Sequence, residues 1–222
     1  MPKKFSIEFE RVPASISTKT TKLGGQPAWY SSPQWPLSRK TSQPMLFLGQ
    51  VALDPVIFGQ SEGRMAYLFM SDDPSGDLAT MDPMAGENAV VIQPGGYVGS
   101  FSAQLTGPPW QQQVSGIVRR SKRAVEFGTR LTLGEDPEWR DVIRGTGTDR
   151  ELYKRRQSLL GSKIGGTPAW IYEPQLPPGG PWRLLLQLES GAPLDLGLGD
   201  AGVLYALISE KGNRGAMLWQ TH

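Results

Sequence analysis

Apolar residues fall along the chain in short continuous runs, each bounded by Gly, Pro, Asp or Ser. The main runs are MLFLGQV (45–51), MAYLFMS (65–71), WRLLLQL (182–188) and VLYALIS (203–209). Runs of this length suit strands buried on both faces. Residues 5–12, FSIEFERV, alternate apolar and polar, as a half-exposed strand does. NAVVIQP, GYVGSFSAQL, QQQVSGIVRR and AVEFGTRLTL, between 88 and 133, also read as strands, and RGAMLWQTH predicts a last one. Helical signals are confined to the middle. Asp136-Pro137 predicts a cap with proline at the first helical position, the helix running through EWRDVIR to a stop at Gly145. Thr148 and Glu151 have capping-box spacing and open a second helix, DRELYKRRQSLL, that runs to Gly161.

The runs occur in a repeated order. TKLGGQPAW (21–29) returns as SKIGGTPAW (162–170), every difference being a close chemical swap except Gln26 against Thr167. The apolar blocks behind each copy then match, pairing Gln50 with Gln187 and Tyr67 with Tyr205. Three blocks in one order predict an internal duplication. The expected fold is α+β, mainly antiparallel β, a pseudo-twofold body with a few short helices between its halves. It forms a single domain, 1–222, of two repeats (about 5–133 and 162–222) joined by a helical linker, 134–161.

Each nonamer combines a turn with an apolar anchor. Gly24, Gly25, Gly165 and Gly166 allow positive φ or close backbone approach. Pro27 and Pro168 fix φ and donate no ladder bond. Trp29 and Trp170 bury a large ring while the indole N–H seeks a partner. Lys22 and Lys163 stand just before the turns. We read each nonamer as a buttress under a sheet, the alternative being a ligand pocket formed by both. Gln50 and Gln187 read as polar keys, because a buried amide must find hydrogen-bond partners, here in the turn backbone.

Composition narrows the chemistry. The 222 residues hold 23 basic and 21 acidic side chains, which gives no general case for a nucleic-acid partner. With no cysteine, disulfides, thiolate metal sites and cysteine nucleophiles are excluded. No run of about 18 apolar residues exists, so no membrane-spanning helix is expected. MPKKFSIEFERVP has lysines without an apolar h-region, so the expectation is a cytoplasmic protein without a secretory signal. No cofactor or metal is expected.

His222 is the only histidine, and a chain terminus is a poor place for a general base. Gly59-Gln60-Ser61-Glu62-Gly63 fits G-x-S-x-G, but that elbow needs a strand before it, a helix after it and a histidine. Gly197 to Gly202 fits G-x-G-x-x-G, yet a strand-like run follows instead of a helix. Arg119, Arg120, Lys122 and Arg123 read as a solvated basic turn. Residues 71–87 carry Asp72, Asp73, Asp77, Asp82 and Glu87 and no Lys or Arg. The stretch reads as a solvated acidic loop, with a contact surface for a basic partner as the sharper alternative. Its spacing does not match a calcium loop.

K-x-G-G-x-P-x-W, a Leu-rich run ending in Gln, G-D-x-G-V-L-Y and a late Trp resemble the YwqG-like family, a bacterial domain of unknown function. The resemblance rests on Lys163, Gly165, Gly166, Pro168, Trp170, Leu185, Leu186, Gln187, Gly199, Asp200, Gly202, Val203, Leu204 and Tyr205. In the first repeat Lys22, Gly24, Gly25, Pro27, Trp29, Leu48 and Gln50 match. The chain departs from the pattern at Gly-Arg-Met-Ala-Tyr in its first copy and at Trp219-Gln220-Thr221-His222, where many members carry a cysteine. The same elements are similar to eukaryotic programmed-cell-death-two-like proteins, implicated in escorting a ribosomal protein. The resemblance implies a duplicated antiparallel β body without established catalytic residues. It also implies an immunity role, since some bacterial members are encoded beside polymorphic toxins. The resulting expectation is a non-enzymatic protein-binding module, foremost a cytoplasmic immunity protein that neutralises a cognate secretion-system toxin. Asp72, Asp73, Asp77, Asp82 and Glu87 would face the basic groove of a nuclease toxin. The alternatives are an escort for a basic protein such as a ribosomal protein and a serine hydrolase using Ser61.

Overall fold

The continuous apolar runs become strands covered on both faces, which is why they do not alternate. The computed structural model describes residues 1–59, 63–72, 79–96, 99–115, 120–143 and 148–222, with the backbone alone for 111–115 and 120–123. The first half contains β1 (Lys3–Arg11), β2 (Lys22–Gly24), β3 (Trp35–Pro36), β4 (Leu46–Ala52), α1 (Pro55–Phe58), β5 (Met65–Met70) and β6 (Asn88–Gln93). Then come β7 (Phe101–Ser102), β8 (Gln111–Ser115), β9 (Arg120–Ala124) and β10 (Glu126–Glu135). Helices α2 (Trp139–Ile143) and α3 (Asp149–Gln157) lead to β11 (Lys163–Gly165), β12 (Trp182–Glu189), β13 (Val203–Ser209) and β14 (Gly215–Gln220). Ten strands form one antiparallel sheet, ordered β14-β13-β12-β11-β1-β10-β2-β4-β5-β6; β3–β7 and β8–β9 are separate pairs. The sheet curls into a nearly closed barrel. Its end strands touch without pairing, so that a side chain at Gly215 would strike Val90.

The strand order reads alike from either end. Lys22 pairs with Gln50 across β2–β4, as Lys163 pairs with Gln187 across β11–β12. Gln50 opposes Tyr67 and Gln187 opposes Tyr205. Bulges recur at Phe47/Gly49 and Leu184/Leu186. Each bulge sends Leu48, or Leu185 and Leu186, into the barrel and leaves Phe47 or Leu184 outside. At the middle lies the β1–β10 ladder. β1 pairs onward with β11 and β10 with β2, so each half is completed by a strand remote in sequence.

Three apolar layers result. The barrel interior holds Leu23, Leu48, Val51, Ile164, Leu186 and Leu204, plugged by Leu194, Leu196 and Leu198 from the loop before β13. Outside the first half, Trp35, Phe47, Tyr67 and Phe69 lie under Trp29. Outside the second, Leu184, Tyr205, Leu207 and Leu218 lie under Trp170 and Trp182. Each fully buried Leu or Phe contributes about 1.5–3 kcal/mol.

Two expectations need correction in the linker. Asp136 does not cap a helix; it is fully buried, and α2 begins only at Trp139. Its carboxylate holds Lys163 instead, and a buried lysine outweighs a surface cap. Helix α3 does start on the capping box, with Glu151 N–H donating to Thr148 Oγ1 and Thr148 N–H to Glu151 Oε2. It ends at Gln157 rather than at Gly161, because the carbonyls of Leu159 and Gly161 turn to Gln187 and Lys163.

Candidate functional site

Each glycine turn is packed against an acid from β10 or its end. Gly24, Gly25, Gly165 and Gly166 all have positive φ. A side chain at Gly25 would strike the Glu126 carboxylate, and one at Gly166 the Asp136 carboxylate. These acids neutralise the two buried lysines, each 1% exposed. Lys22 Nζ lies 2.6 Å from Glu126 Oε1 and donates to Ile16 O at 2.5 Å. Lys163 Nζ lies 2.6 Å from Asp136 Oδ2 and donates to Leu159 O (2.7 Å) and Thr167 O (2.6 Å), so its three protons are all satisfied. Asp136 Oδ1 has no well-angled hydrogen bond and faces the Lys4 ammonium at 2.5 Å. Lys4 lies opposite Gly165 as Glu126 lies opposite Gly24. One half therefore puts the acid on the strand, and the other puts a second lysine there that holds an acid from beyond it. Burial pulls the Lys163 ammonium down to about 8, against the pull of Asp136.

The glutamines act as the same key twice. Gln50 Oε1 accepts Ala28 N–H and Gln187 Oε1 accepts Ala169 N–H, both at 2.8 Å. Gln50 Nε2 donates to Thr18 and Thr20 carbonyls, and Gln187 Nε2 to those of Leu159 and Gly161. Tyr67 donates to Ala28 O (2.9 Å) and Tyr205 to Ala169 O (2.6 Å). Desolvation raises both phenols above their ordinary range. Trp29 tilts over Tyr67 with ring centres 4.7 Å apart, and Trp170 over Tyr205 at 4.4 Å. Sequence reasoning missed Glu126, Gln93 and Gln220 and took Asp136 for a helix cap. Gln93 Oε1 accepts Ser31 N–H, and Gln220 Oε1 accepts Ile171 and Tyr172 N–H. Both close an apolar run, as Gln50 and Gln187 nearly do, and that placement was a usable signal.

The halves differ in what lies over the turn. In the first, residues 104–110 cross it. Trp29 Nε1 donates to Leu105 O at 3.0 Å, and the Gln26 amide clamps both backbone groups of Gly107. Phe47 N–H then donates to Pro108 O and Trp110 N–H to Phe47 O, each at 2.9 Å. In the second half Thr167 replaces Gln26 and donates to Pro137 O at 2.6 Å. Loop 170–181 lies over that outer face, with Trp182 Nε1 on Pro177 O, Arg214 above the Trp182 ring and Tyr172 58% exposed.

The family model described as a domain of unknown function (DUF1963) matches residues 21–212. The chain belongs to this family. Among curated proteins no relative matches it. The DUF1963 match spans both nonamers and both keys, so the buttress geometry falls within the matched region.

Other expected residues lie elsewhere. The two turns pack at opposite ends of β10, one against Glu126 and the other against Asp136. Pro27 and Pro168 continue them, while Asp200 is exposed and its carbonyl accepts Thr221 Oγ1. A groove of about 410 Å3 opens between β1 and the 190–194 turn, lined by Ile7, Phe9, Leu194, Ser162 and Glu189. In the acidic stretch Asp73 and Asp77 lie outside the described residues. Asp72 is exposed, and Asp82 Oδ1 accepts Met84 N–H. Glu87 is turned inward, 3% exposed, accepting Ser38 Oγ at 2.7 Å and Lys40 N–H at 2.9 Å, so its carboxylate is not on the contact surface expected of it. Ser61 lies outside the described residues; helix α1 precedes its segment and β5 follows, the reverse of the elbow's order. Gly197–Gly202 leads into β13, and Leu198 fills the barrel. Arg119 lies outside the described residues, and Arg120, Lys122 and Arg123 fall on β9. His222 stacks edge-on to Tyr172. Among the described residues no helix is long and apolar enough to cross a membrane.

Proposed function

We propose that the chain is a non-enzymatic protein-binding module, foremost an immunity protein that neutralises a cognate toxin by direct contact. The observation that carries this reading is the outer face of the second half. There Tyr172 and Leu176 are exposed beside half-buried Trp170 and Trp182, with Arg214 over the Trp182 ring. Tyr, Trp and Arg are the residues most enriched where protein partners bind. The resemblance to YwqG-like proteins supports the immunity role. The exposed Asp72 and Asp82 supply negative charge that would speed association with a basic partner. We propose also that β1–β6 and β10–β14 are copies of one unit that have exchanged their first strands.

Affinity capture from the native cell, with bound proteins identified by mass spectrometry, tests the function. One stoichiometric toxin-like protein is expected. Ribosomal proteins in its place would favour an escort, and no protein at all would contradict the reading. For a basic toxin, Asp72→Asn with Asp82→Asn should slow association several-fold at low salt and little at high salt.

A further inference from the structure

We propose that the open edge of β1 at Phe9–Arg11 takes an extended segment of a partner protein as an added strand, one whose side chains alternate between apolar and basic. This is a second contact, beyond the face over β12–β14, and it rests on the protein-binding reading. On one edge β10 covers β1 along its whole length. On the other, β11 covers only Lys4–Ser6, with one further bond from Ile7 N–H to Ser162 O. The odd residues of β1 thus turn their backbone groups toward β11 and the even ones toward β10, as Val12 N–H on Glu126 O continues to show. Before Ser162 the chain runs off this line, with Gly161 at positive φ and its N–H on Glu189 Oε1. Phe9 and Arg11 therefore turn their N–H and C=O to a side that β11 never reaches, and among the described residues no hydrogen bond meets them there. The groove of about 410 Å3 lies along this edge. Consecutive residues Ile7, Glu8 and Phe9 line it, so it follows the edge rather than one face, with the 190–194 turn opposite. Unpaired backbone groups on a strand edge are a template for a further strand.

The two faces at this edge set the occupant's side chains. Ile7 and Phe9 pack against the barrel interior, next to buried Leu194. Glu8 and Glu10 alternate with them and point outward. Glu189, in step with Gln187 and Lys163, lies on that same outer face. Arg130 is shared between Glu8 and Glu10, which leaves the three carboxylates in excess, and among the described residues no Lys or Arg lines the groove. Cross-strand neighbours share a face. The occupant residue opposite Phe9 is therefore apolar, and its two neighbours are Lys or Arg. The direction is antiparallel to β1, as in β11, whose line the segment continues.

The probe is the fluorescein-labelled peptide GKVKVKG, titrated by anisotropy against the intact chain. Saturable binding is expected, and none for GEVEVEG. Methylating the valine nitrogens, which face β1 in the antiparallel register, should weaken binding about tenfold on the unaltered protein. Methylating the lysine nitrogens, which face away from β1, should leave it unchanged. Glu8→Gln with Glu189→Gln, which keeps an acceptor for Gly161 N–H, should weaken binding several-fold at low salt and little at high salt. No saturable binding, equal losses from the two methylation patterns, or indifference to the double variant overturns the site. Dimerisation of the chain that the peptide competes away would assign the edge to a second copy and overturns the partner segment. A cellular partner captured equally by the wild type and the double variant overturns the site and leaves the protein-binding reading standing. Peptide binding as expected, with no cellular partner captured, supports the site and removes that reading.

Discussion

Lys163 shows how much a single buried charge costs to unbalance. Its ammonium has three acceptors and Asp136 faces two lysines, so Lys163→Met leaves a carboxylate underserved inside the protein. The expected loss is about 3–5 kcal/mol in urea unfolding, with a similar loss for Lys22→Met, which strands Glu126. Lys154→Met, on the exposed surface of α3, should stay within about 0.5 kcal/mol. Burial also places the proton of Lys163 in play. Its folded value of about 8 lies below the ordinary 10.5, so the folded chain releases this proton first. Between those values the unfolded chain binds the extra proton, and the stability due to this group rises with pH across that window. The wild type should gain on Lys163→Met between the two ends of the window; a constant difference would contradict the assignment.

At the scale of elements, the apolar runs and the turns depend on one another through the glutamine keys. Gln50→Leu keeps the volume but leaves Ala28 N–H and the Thr18 and Thr20 carbonyls without partners, a loss of several kcal/mol at about 1–3 kcal/mol per unmet group. Gln187→Leu should cost the same, and near-neutral behaviour of either would refute the keys. The strands were legible because MLFLGQV and WRLLLQL are apolar throughout, as a strand covered on both faces must be. The acids were not. Glu126 lies 104 residues from Lys22 and reads as an ordinary strand charge, and Asp136-Pro137 carries a local cap signal that the buried Lys163 overrides.

The two halves of the sheet are joined at the β1–β10 ladder. Among the described strands β1 alone stands between β11 and β10, so a chain lacking residues 1–11 loses the seam between its halves. It should show no cooperative thermal transition, whereas an unchanged transition would place the stability within each half. On the proposed reading, the face over β12–β14 is where the barrel meets other proteins. The most direct test replaces Tyr172 with a photo-crosslinking phenylalanine derivative, with exposed Tyr153 on α3 as the control position, and irradiates the native cell. The account predicts one protein adduct from position 172 and none from 153. No adduct at 172, or the same adducts from both positions, would contradict it.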